Sequence, residues 1–247
     1  MQRVKLTVSY DGTDYNGWQI QTEPKGVKTI QGVIEEGLKK LTGEEIKVVA
    51  AGRTDAGVHA LGQVIHFDTN SSIPVERYPK ALESVLPKDI VPLKAQVVDS
   101  SFHARFSAKS KTYKYTIDLG EMPQVFMRRF AYHYPFPLDF TAMQEAAKLL
   151  IGTHDFTSFC ASGSSVKDFT RTITSCHLWR EEQFLHLQVS GDGFLYNMVR
   201  IMGGTLLEVG RGKIDPRQIT EIIEAKNRDA AGPTLPPYGL CLMKVEY

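Results

Sequence analysis

Cysteine is scarce in this chain: Cys160, Cys176 and Cys241 are an odd number with no C-x-x-C spacing. That excludes a disulfide framework and a zinc knuckle, and it fits a reducing cytosol. No apolar run approaches the ~20 residues needed to span a bilayer, and the opening MQRVKLTVSY alternates instead of carrying a signal-peptide core. The expectation is a cytoplasmic protein with no membrane partner. Nucleotide signatures are missing too, because GDGFLYNMVRIMGG has scattered glycines near a helix but neither G-x-G-x-x-G spacing nor a P-loop lysine. There is no G-x-S-x-G elbow, and the seven histidines are dispersed, with His59 and His66 outside the H-E-x-x-H arrangement of a zinc helix. YDGTDYNG combines Asp11, Asp14, Asn16 and Gly17, but Tyr15 and Asn16 stand fifth and sixth, where a calcium loop needs an oxygen ligand and then glycine. Neither a metal site nor a dinucleotide site is expected. A net charge of +1 gives no overall attraction for nucleic acid, so such binding must rest on local patches. One stretch is devoid of acids: residues 100–117 hold no Asp or Glu, while Arg105, Lys109, Lys111 and Lys114 are basic.

What the chain does have is an ordinary globular mixture, 42% hydrophobic and 23% charged over 247 residues, enough for one large domain or two. Val4, Leu6, Val8 and Tyr10 alternate with polar residues, the period of a half-buried strand. Ile30, Val33, Ile34, Leu38 and Leu41 recur at helical spacing after Thr29, a suitable N-cap. Strands are expected at 46–51, 63–68 and 93–98, with a helix near 77–86 stopped by Pro87, giving β-α-β-β-α-β. The order repeats from Tyr113, Tyr115 and Ile117 on one strand, through a helix with Phe140, Met143, Ala147 and Leu150, to strands at 172–180 and 184–190. A second apolar helix is expected at 194–209, an extra helix capped by Asp215 and Pro216, and a closing strand in GLCLMKVEY. The predicted fold is α+β: two ferredoxin-like units, 1–106 and 107–247, joined edge to edge into one mainly antiparallel sheet with helices on one face. Sheets of this kind bind RNA on the uncovered face through aromatic and basic side chains.

Three residues stand out chemically. Asp55 lies in AGRTDAGVHA, a run too glycine-rich for a helix, two residues after Arg53 and four before His59. It reads either as a turn residue whose side chain accepts backbone hydrogen bonds or as a reactive carboxylate. Arg200 sits among Met198, Val199, Ile201 and Met202, whose burial would give a guanidinium need of an anion partner; a catalytic pair and a structural ion pair both remain open. Tyr113 shares a strand face with Tyr115 and Ile117, which favours an ordinary sheet aromatic over a functional one.

Taken together, YDGTDYNGWQIQ, AGRTDAGVHALGQVIHF, FHARFSAKSKTYKY, DFTSF, FLYNMVRIMGG and AAGPTLPPYGLCL resemble the tRNA pseudouridine synthase A family along almost the whole chain. GRTDAGVHA is the most specific of these. The departures are Leu235 where the family usually has Ala, and Lys111 with Thr112 in place of a more arginine-rich pair. The resemblance implies a cofactor-free, metal-free isomerase that turns uridine into pseudouridine in the tRNA anticodon arm, at positions 38 to 40 in tRNA numbering. It also implies a homodimer whose subunits share the tRNA. Asp55 falls on the family's catalytic aspartate, Tyr113 on the tyrosine that stacks on the target base, Arg200 on the arginine that pairs with the acid, and Arg53 on the arginine that helps displace the nucleotide. Arg105, Lys109, Lys111 and Lys114 become candidates for phosphate contacts. Two rival readings remain at the level of sequence: a non-catalytic RNA-binding protein on the same sheet, and a small-molecule hydrolase using Asp55 with His59.

Overall fold

A computed structural model describes residues 1–21, 26–164 and 166–247. The chain divides into two compact units, Met1–Lys109 with Cys241–Tyr247, and Ser110–Leu240.

The first unit runs β1 (Gln2–Tyr10), α1 (Ile30–Thr42), β2 (Val49–Ala50), β3 (His59–Thr69), α2 (Tyr78–Glu83) and β4 (Ile90–Val98). β1 lies between β3 and β4 and is antiparallel to both. β2 extends the order by pairing with Ile65 and His66 of β3. The resulting β4-β1-β3-β2 order is that of a ferredoxin-like unit. Val4, Leu6 and Val8 are fully buried, and Ile30, Ile34 and Leu38 supply the apolar face of α1, so period two meets period 3.6 in one core. Thr29 caps α1 as expected, its hydroxyl accepting from Gly32 N–H at 3.3 Å. The strand expected over 46–51 is reduced to two residues. Val48 N–H donates to the Glu35 carboxylate of α1 at 3.1 Å, so its donor goes to a side chain while Val48 itself stays buried.

The second unit comprises β5 (Ser110–Asp118), β6 (Tyr132–His133), α3 (Phe140–Leu149), β7 (Gly152–Asp155), β8 (Thr170–Glu181), β9 (Phe184–Gly191), α4 (Met198–Gly210) and α5 (Gln218–Ala225). Its sheet order is β5-β9-β8-β7, antiparallel throughout, with β6 parallel to the end of β5. α4 starts at Met198 and not near 194, because Asn197 takes a left-handed conformation (φ 59°) that a helix cannot contain. α5 starts at Gln218 and not at Pro216. Asp215 forms a preceding turn, its carboxylate accepting from Arg217 N–H and its carbonyl from Gln218 N–H.

The last strand, β10 (Leu240–Glu246), pairs in parallel with His59 and Ala60 at the start of β3. By position in the chain it closes the second β-α-β-β-α-β; by contact, all but its first residue belongs to the first unit, and the boundary falls after Lys109 instead of after 106. The fold is α+β with mainly antiparallel strands and, among the described residues, five α-helices. No helix among them is long and apolar enough to cross a membrane.

Candidate active site

Asp55 occupies a turn in the first unit. Its carbonyl accepts from Val58 N–H at 3.1 Å, and Gly57 supplies the left-handed residue (φ 77°) that such a tight reversal requires. The 10–18 loop braces the turn: Gly57 N–H donates to the Tyr15 carbonyl and Trp18 N–H to the Thr54 carbonyl. Behind it, the buried Tyr10 hydroxyl meets the Thr54 hydroxyl at 2.8 Å and Gln63 donates to the Gly52 carbonyl. Burial pushes the Tyr10 phenol well above its ordinary range, so it remains a neutral hydrogen-bonding strut. Asp55 is half-buried and Arg53 exposed. His59 Nδ1 accepts from Gly12 N–H at 3.0 Å and lies 3.1 Å from Asp11 Oδ1. His59 is thereby tied into the scaffold of the 10–18 loop, which speaks for a structural role over an acid–base partnership with Asp55.

Within the second unit, Tyr113 on β5 is 7% exposed and meets Phe194 edge to face, ring centroids 5.1 Å apart. Arg200 is half-buried in the first turn of α4, and its guanidinium is aimed by neighbours. Nε donates to the Leu235 carbonyl at 2.7 Å and one Nη to Asn197 Oδ1 at 2.6 Å, while Leu235 N–H returns a bond to the Arg200 carbonyl. The 194–197 segment thus touches both residues, Tyr113 through Phe194 and Arg200 through Asn197. The coil carrying Leu235 is pressed onto α4: a Cβ at Gly204 would lie 1.7 Å from the Pro233 carbonyl oxygen. Arg228 holds the same coil through the Ala231 and Gly232 carbonyls, and the Tyr115 hydroxyl donates to the Pro236 carbonyl at 2.7 Å.

The family model described as tRNA pseudouridine synthase matches residues 6–107 and 146–247. Curated relatives named tRNA pseudouridine synthase A include that of Moorella thermoacetica, 53% identical over the full length of both chains. Those of Bacillus pumilus and Bacillus subtilis are 53% and 50% identical, each covering 99% of both chains. The chain belongs to the tRNA pseudouridine synthase A family. As a tRNA pseudouridine synthase it is an isomerase acting on tRNA uridine. Asp55 and Arg200 lie inside the matched ranges and Tyr113 between them.

The basic candidates of this synthase are scattered: Arg105 and Lys109 are exposed near the end of the first unit, while Lys111 and Lys114 are half-buried on β5 with side chains on opposite sheet faces. Among the described residues, no group of three His, Cys, Asp or Glu side chains is placed to hold a metal ion. Sequence reasoning missed Phe194, Asn197 and the Leu235 carbonyl. An Asn directly before an apolar helical run is a cap signal that could have marked Asn197, though here its side chain holds Arg200 instead of a backbone N–H.

Proposed function

We propose that this synthase acts on uridines 38 to 40 of the tRNA anticodon stem-loop, with Asp55 as nucleophile, no cofactor, and a cytoplasmic site of action. In the reaction the N1–C1′ bond breaks, the uracil turns and C5 bonds to C1′; C5 loses a proton and N1 gains one. Nothing is oxidised or reduced and no group departs, so the chemistry calls for no redox or group-carrying partner. The carboxylate attacks C1′ or C6, or assists loss of uracil to a glycal-like intermediate. The observation that carries this reading is the placement of Asp55, half-buried on a turn held by its neighbours' main chain within the matched range. Arg200 serves to keep the acid ionised against desolvation, Tyr113 stacks on the flipped base, and Arg53 helps displace it from the helix.

The synthase works as a homodimer in this reading. In support, Met122, Val125, Phe126 and Phe136 are 79, 60, 83 and 63% exposed, more apolar surface than one short segment of a monomer ordinarily shows. Sedimentation of the Phe126→Ser variant checks this: a weakened dimer is expected, and an unchanged mass at low concentration contradicts the assignment of that surface.

The test of the function is tritium release from tRNA labelled at uracil C5, with the uridines at 38, 39 and 40 replaced by cytidine singly and together. Release should vanish when all three are gone. Release that persists from that triple-substituted tRNA refutes the anticodon-arm assignment.

A further inference from the structure

Residues 100–107 form a loop that is unusually well tied down for a surface segment. The Arg3 guanidinium donates to the Ser100 and Phe102 carbonyls, Ala104 N–H donates to His66 Nδ1 at 3.1 Å, and the Tyr247 hydroxyl donates to the Ala104 carbonyl at 2.8 Å. His103 closes the turn on itself: its Nδ1 accepts from the N–H groups of Arg105 and Phe106, and its carbonyl accepts from Ser107 N–H. Despite this anchoring, the tip turns an aromatic ring outward. Phe106 is 76% exposed, its ring is stacked on His103 with centroids 4.3 Å apart and planes 30° apart, and the Arg105 guanidinium lies 5.7 Å from its centroid.

A single exposed phenylalanine is unremarkable. Here the ring is held by a fixed turn, flanked by a cation and set in the acid-free stretch 100–117. Asp68, the acid next to the loop's anchor, is paired with Arg3 at 2.7 Å. The Asp99 carboxylate is taken up by Ser101 N–H at 2.8 Å, and the Lys5 ammonium lies over the Phe102 and Tyr247 rings, 5.4 and 4.0 Å from their centroids, so cations stand at both the base and the tip of the loop. A rigid aromatic face beside a cation on a positive surface is what nucleobase stacking with phosphate neutralisation uses.

We propose that Phe106, with Arg105 beside it, is a stacking platform for an unpaired base of the tRNA away from the reacting uridine. The proposal rests on the tRNA reading above and adds a second contact to it. β3 begins at His59, just past the Asp55 turn, and His66 beneath the loop lies seven residues along it. At about 3.3 Å per residue, those seven residues put the loop's anchor about 23 Å along the strand from His59, away from the flipped base.

The experiment measures tRNA binding at several salt concentrations for the wild type, Phe106→Ala, Phe106→Trp and Arg105→Ala, with KM and kcat for tritium release in parallel. Phe106→Ala should weaken binding about tenfold to a hundredfold with the salt slope kept, and the loss should fall on KM. Phe106→Trp should restore affinity and show emission quenched by tRNA. Arg105→Ala should reduce the salt slope by about one. Wild-type affinity and KM in Phe106→Ala overturn the platform, as does a loss of dimer mass in that variant, which would make the ring a contact between copies of the chain. If the wild type itself released no tritium, the functional reading would fall instead.

Discussion

Asp55 stands on a loop shaped by main-chain bonds and a left-handed glycine, whereas Arg200 stands on the first turn of a helix and is aimed by what its own guanidinium grips. The turn is closed by the Asp55 carbonyl, which accepts from Val58 N–H. An arginine has five N–H donors; Nε and one Nη bind Leu235 and Asn197, and this orients the plane of the group. The difference teaches that the two units place their polar groups at different cost. The first depends on tight backbone turns, the second on a coil docked against a helix. Substitutions in each should fail differently.

The largest effect is expected on the docked coil. Gly204→Ala puts a Cβ on the Pro233 carbonyl, and overpacking of this kind costs about 1–3 kcal/mol or more, so Tm should drop by about 5–10 °C with turnover falling as the Leu235 carbonyl moves off Arg200. A thermal melt and a tritium-release assay of one preparation check both, and unchanged values would mean that the coil yields without disturbing Arg200. Next comes Arg200→Met, which keeps apolar volume but removes the cation. On the proposal that Arg200 keeps Asp55 ionised, single-turnover release should fall about tenfold or more at low pH and recover as pH rises. A rate lowered equally at every pH would assign Arg200 another role. In the first unit, Gly57→Ala forces a side chain into a left-handed turn and should cost only about 1 kcal/mol, seen as a Tm lower by about 2–4 °C. A loss as large as that of Gly204→Ala would erase the contrast between the two units.

The smallest effect is electrostatic. The folded pKa of His66, about 4, lies below its ordinary value of 6.5. The unfolded chain therefore takes up the proton first, and stability is full above about 6.5, declines as pH falls towards 4 and levels off below. Tm measured from pH 7.5 to 4 should fall less steeply in His66→Gln, whose side-chain oxygen can still accept from Ala104 N–H. Parallel curves for the two proteins would remove His66 from the acid response.

Local signals were legible: Thr29 before an amphipathic run marks the start of α1, and the alternation of Val4 to Tyr10 gives β1. Asp55, Arg53, Tyr113 and Arg200 were singled out through their surroundings and the family resemblance. The missing features depend on partners far away in sequence. β10 joins the first unit through a parallel pairing with residues about 180 positions earlier, which no local pattern encodes. Val48 leaves the strand ladder because Glu35, on another element, takes its N–H. The apolar neighbours of Asn197 carry the helical period through it, while its backbone conformation and its grip on Arg200 emerge only in the folded chain.

The central claim, that Asp55 performs the chemistry, is tested most directly by single-turnover tritium release from C5-labelled tRNA with Asp55→Asn beside the wild type, tRNA affinity being measured on both. The account predicts affinity within a few-fold, because backbone charge and shape govern binding, and no detectable release from the variant. Release from Asp55→Asn near the wild-type rate would contradict it.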